Sequence, residues 1–182
     1  MRNSERDRRA LAALVLAAVA ACTSVAPSPP SVFFAGLPVS GTVSDARRAG
    51  FTACVDLDAR HIRCRRHQVM LENVGPYEAA VDLTGSGGEG GFDHLTLWHD
   101  TDNDAVFRVG SALEQAGWAR CLTGNGRAGD QAIYTRDDAP VRVSIDISYW
   151  GRRRLRLIPS QQRDTGCHAS THSVGRNSGT ER

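Results

Sequence analysis

Apolar and polar residues alternate through most of the chain. The clearest run is Val141, Val143, Ile145, Ile147 and Tyr149, with polar residues between them. That is the period of a strand with one buried face. The same alternation predicts strands in FTACVDL (51–57), HIRCRRH (61–67), Tyr77 to Leu83, FDHLTLWH (92–99), DQAIYTR (130–136) and RLRLIP (154–159). Two stretches change period. Val106, Val109, Leu113 and Ala116 recur every three or four residues, which predicts a helix over about 103–116 with one buried stripe. A shorter helix is predicted over 43–49, with Thr42 as N-cap and Asp45 three residues on.

One pattern occurs twice. Ala49-Gly50-Phe51 leads to Cys54, and Ala116-Gly117-Trp118 leads to Cys121, with the same spacing. Each copy follows a helix and precedes strand-like sequence. One reading is a duplicated α-then-β unit. The other is two helix ends that each use Gly and an apolar contact, a common solution. The order reads α-β-β-β-β-α-β-β-β. This predicts an α+β domain, an antiparallel sheet packed by two helices, over 41–159. The Gly-rich GSGGEGG (85–91) reads as a flexible connector, without the Gly-Lys-Ser/Thr of a phosphate loop.

The start of the chain follows a different logic. Arg2, Arg6, Arg8 and Arg9 precede an apolar run from Leu11 to Ala21. That run is too short to cross a bilayer core of about 30 Å and reads as an export signal. Val19-Ala20-Ala21-Cys22 resembles the lipobox of bacterial lipoproteins. The resemblance implies cleavage before Cys22, a diacylglycerol on its thiol and an acylated amine, and so a stable membrane anchor. It covers the signal (1–21) only. Thr23, where an Asp commonly holds such proteins in the inner membrane, resembles the outer-membrane class, facing the periplasm. Residues 22–40, rich in Ser, Pro and Ala, read as a tether. Residues 160–182 have almost no apolar content and read as a disordered tail.

The chain has 22 basic residues, all arginine, and 20 acidic ones. Removing the signal removes four arginines and two acids and leaves 18 of each. That balance gives no electrostatic footprint for nucleic acid. With Cys22 lipidated, Cys54, Cys64, Cys121 and Cys167 remain in an oxidising compartment. A hairpin centred on Ala59 would oppose Cys54 and Cys64 within disulfide reach. The alternative is Cys121 bonded to Cys54 or Cys64 across the sheet. Cys167 is expected to stay unpaired in the tail or to pair non-specifically.

Candidate chemistry is sparse. Asp100, Asp102 and Asp104 alternate as in a calcium loop, but Ala105 and Ser111 stand where that loop wants Gly and Glu. The same acids at a helix start would cap amides and meet the positive end of the dipole. No catalytic signature is present and no motif calls for a cofactor. Trp150, Arg152, Arg154 and Arg156 are expected to share one strand face, with Leu155 and Leu157 turned to the core. Such a face suits an anionic envelope component or an acidic envelope protein. It equally suits protection of a sheet edge. The reading is a membrane-anchored envelope lipoprotein that binds a partner without catalysis. The rival is an envelope hydrolase or an inhibitor of one.

Overall fold

The computed structural model describes residues 32–124, 129–148 and 151–160. Ten strands and two α-helices follow one another as β1 (Phe33–Phe34), β2 (Leu37–Pro38), α1 (Val43–Arg48), β3 (Ala53–Asp58), β4 (His61–Leu71), β5 (Val74–Thr84), β6 (Gly91–Trp98), α2 (Ala105–Gln115), β7 (Ala119–Leu122), β8 (Gln131–Thr135), β9 (Val141–Asp146) and β10 (Leu155–Pro159). The fold is α+β and dominated by its sheet. Eight strands pair in the order β3-β4-β5-β6-β10-β9-β8-β7, and β1 pairs with β2 beside them. The eight-stranded sheet is antiparallel throughout.

Register assigns every side chain to a face, because directly opposed residues point the same way. One row runs Cys54, Cys64, Val81, Leu95, Leu157, Val143, Tyr134, Arg120 across all eight strands. Its central members belong to the core, together with Ala105, Val106, Val109 and Leu113 of α2 and Val43 and Ala46 of α1. Tyr77 lies on the same side. Its hydroxyl donates to the Ala105 carbonyl at 2.9 Å, and burial, the main influence, pushes that hydroxyl up to about 12. Ala116, expected in the buried stripe, is exposed, because the helix has ended one residue earlier.

Both helices stop in the same way. The Phe51 amide donates to Ala46 O and the Gly50 amide to Arg47 O. The Trp118 amide donates to Leu113 O and the Gly117 amide to Glu114 O, all at 3.0 Å. This is the paired bonding of a Schellman end, with Gly50 and Gly117 at positive φ. Phe51 and Trp118 fold back and are buried. At the other end of α1, the Thr42 amide donates to Asp45 Oδ2 at 2.7 Å, the expected capping contact.

Three expectations change. The second half has four strands rather than three: Ala119–Leu122 pairs with β8, a strand too short for alternation to reveal. The stretch read as tether contributes to the core from Leu37 and Val39 on. The glycine-rich connector is ordered. It forms a 3-10 turn at Ser86–Gly88, and a Cβ on Gly88 would lie 2.3 Å from Val43 Cγ2. The lipobox and Cys22, Trp150, the tail beyond Ser160 and Cys167 lie outside the described residues.

Candidate functional site

The hairpin places Cys54 opposite Cys64, and the two are bonded, with an S–S distance of 2.08 Å. Cys121 does not pair with either. It sits on β7, the opposite edge of the sheet from β3, roughly 30 Å away at the usual strand spacing. Cys121 is itself disulfide-bonded.

The acidic stretch 100–104 does not converge on a point. Arg152 donates to Asp100 at 3.0 Å, Arg108 to Asp102 at 2.8 Å, and Arg153 to Asp104. Among the described residues no group of three His, Cys, Asp or Glu side chains has a geometry that could hold a metal. The expected capping of amides by these acids is met by Asp102 and not by Asp104. Asp104 is the N-cap without a side-chain bond. Asp102 Oδ1 accepts the Asp104 amide at 2.9 Å instead. His99 Nδ1 accepts the amides of Thr101 and Asp102. The stretch is a structural loop tied to the segment before β10.

That tie also divides the expected arginine row. Arg152 precedes β10 and is held by Asp100, so it does not share the strand face. Arg156 lies on it, and Arg154, one residue before β10, is close enough for its charge to act on Arg156. Arg156 opposes Thr96 on β6 and Ser144 on β9. The row through it runs Ala53, Arg65, Ala80, Thr96, Arg156, Ser144, Ile133, Cys121. It faces away from the helices. Among the described residues, Arg65, Arg154 and Arg156 make no ion pair or side-chain hydrogen bond. Burial lowers the affinity of the half-buried Arg156 for its proton, and neighbouring Arg154 lowers it further.

One row along lies a network that sequence reading missed. Arg63 opposes Asp82, and Asp82 opposes His94. Arg63 grips Asp82 through two bonds, Nε at 2.6 Å and Nη2 at 3.1 Å. His94 Nε2 lies 3.1 Å from Asp82 Oδ2, and its Nδ1 lies 2.7 Å from Asp93 Oδ2. Burial pushes the Asp82 carboxyl up, but the bonds from His94 and Arg63 together outweigh it and hold it below the ordinary range. The contact with Asp82 raises His94, against the cost of burial and with help from Asp93. A ring facing a carboxylate at each nitrogen donates to both only as imidazolium. In that state it has no lone pair with which to act as a base.

A groove of about 460 Å³ lies at the β3–β4 tip, lined by Asp56, Asp58, His61, Ile62 and neighbouring turn residues. Asp58 there accepts the Arg60 amide and pairs with His61 at 2.8 Å; the amide first and then His61 lower its carboxyl. The signal for the Asp82 network was present in the sequence. Asp82 and His94 are polar residues at the outward positions of two successive strands. Comparison of the chain with protein-family models, with curated proteins and with solved structures found no match.

Proposed function

We propose that the chain is a lipid-anchored protein of the bacterial cell envelope whose α+β domain is a non-catalytic binding module. The anchor rests on residues 1–22: a basic start, a short apolar run and Cys22 in a lipobox-like setting. Thr23 favours the outer membrane, with the domain facing the periplasm. The observation that supports binding is the helix-free face of the sheet, where Arg65, Arg154 and Arg156 stand without acidic partners among the described residues. Unpaired arginines on a rigid sheet suit an anionic envelope component or an acidic envelope protein.

We also propose that the domain is a duplicated α-then-β unit. Each half runs helix, Schellman end, buried aromatic and four-stranded meander, and the halves meet antiparallel at β6 and β10. That symmetry favours a duplicated unit over two coincident helix ends.

Crosslinking in intact cells tests the binding reading. A stoichiometric partner captured by the full chain and lost on Arg154→Ala with Arg156→Ala supports it; capture indifferent to those changes argues against this face. Changing Cys22 to Ser is expected to release the chain from membranes, and retention would sink the anchor. Disulfide mapping adds an independent check. With five cysteines and Cys54–Cys64 closed, Cys121 is left with Cys22 or Cys167. A lipidated Cys22 requires Cys121–Cys167, and a Cys22–Cys121 peptide would exclude lipid on that thiol.

A further inference from the structure

This inference rests on the helix-free face being a binding face, and names what it binds. We propose that the β6–β10 seam is a binding site for a phosphate group, held by the guanidinium groups of Arg154 and Arg156 with the Thr96 hydroxyl between strands.

The position is central. Thr96 and Arg156 are the middle pair of the β6–β10 ladder, which joins the two halves of the sheet. Arg154, just before β10, is close enough for its charge to act on Arg156. Thr96 is 8% exposed, and its hydroxyl makes no hydrogen bond among the described residues.

The electrostatics are left open. A half-buried guanidinium loses hydration and needs an anion in return. The nearest carboxylates are committed elsewhere. Asp82 is taken by Arg63 and His94. Asp146 Oδ1 accepts both the amide and the hydroxyl of Ser148, at 2.9 and 2.5 Å. Ser144 donates to Gln131. Arg152 and Arg153, the other cations of the segment, are held by Asp100 and Asp104. Among the described residues Arg154 and Arg156 therefore form no ion pair of their own, and Asp146 and Asp82 only partly offset the burial of Arg156.

The donor set selects the anion. Two guanidinium forks and a hydroxyl can serve three oxygens and balance two negative charges, which matches phosphate better than a carboxylate with two oxygens and one charge. The phosphate comes either from a lipid headgroup or from a free small molecule, and both present the same oxygens.

Inorganic phosphate titrated into the full chain, followed by nuclear magnetic resonance, tests the site. Saturable shifts centred on Thr96 and Arg156 are expected, with acetate weaker. Arg156→Gln should weaken binding about tenfold or more, the scale of losing hydrogen bonds to a charged group. Arg154→Gln should weaken it as well, and Arg152→Gln, held away by Asp100, should not. Circular dichroism checks that each variant folds, and two separate arginines keep the test decisive if one does not. Phosphatidylglycerol vesicles added to the full chain carrying Cys22→Ser separate the sources. Vesicle binding that needs Arg156 assigns a headgroup, and phosphate binding without vesicle binding assigns a free ligand. No saturable phosphate shift, equal binding of acetate, or indifference to both arginine changes overturns the site. The Cys22→Ser fractionation is a separate result, so failure of the anchor and failure of the phosphate site are told apart.

Discussion

Asp82 is only 6% exposed, and an unpaired carboxylate so placed would be costly. Two bonds from Arg63 and one ion pair from His94 offset that cost. Arg63→Ala should lower stability by about 1–2 kcal/mol, less than a fully buried pair because Arg63 is partly solvated. Urea unfolding measures it. The network also sets a pH window. His94 is raised in the folded state, so its contribution is complete below the ordinary histidine value of 6.5 and is lost as pH rises through the folded value. Asp82 is lowered, so its contribution is present above 3.8 and is lost as pH falls through the folded value. Stability should therefore decline as pH rises above about 6.5 in the parent chain and decline less in His94→Asn. Identical pH profiles would contradict the imidazolium assignment.

At the scale of elements, the strongest local signals were those whose physics is local. The Thr42–Asp45 cap and both glycine helix ends depend on residues within one turn, and all three form. Gly117→Ala should cost about 1 kcal/mol, because φ there is +83° with open space around it. Gly88→Ala should cost more, since the added methyl meets Val43 as well as a positive φ. Adding Val43→Ala should recover part of that loss in a double-mutant cycle; strict additivity would mean the Val43 contact is unimportant. The repeated cysteine shows where local reading stops. Both copies share helix end and aromatic, yet Cys54 falls in the core-facing row and Cys121 in the row facing away. In the first copy the Cys54 amide also bonds back to Thr52 O. A single-residue slip reverses every side chain of a strand.

At the scale of the molecule, the disulfide pins edge strand β3 to β4 and closes a short loop of sequence separation 10. Replacing Cys54 and Cys64 together by Ala should cost about 2–3 kcal/mol in the chain-entropy account, measured by thermal unfolding under non-reducing conditions. The change leaves Cys121 alone, so the effect belongs to this bond.

The sequence by itself determined what nearest-neighbour physics controls: the alternating strands, the two helices with their ends, the Cys54–Cys64 hairpin, and the direction of Leu155 and Leu157 against Arg156. Each depends on periodicity or on groups a few residues apart. Tertiary structure decided what depends on residues brought together from afar. It committed Arg152 to Asp100 and left Arg156 without an ion pair among the described residues. It joined Arg63, Asp82 and His94 across three strands. It put β3 and β7 on opposite edges, separating two cysteines that look alike in sequence. Strand order and register carry that information, and both follow from burying one face of eight strands at once, not from any single segment.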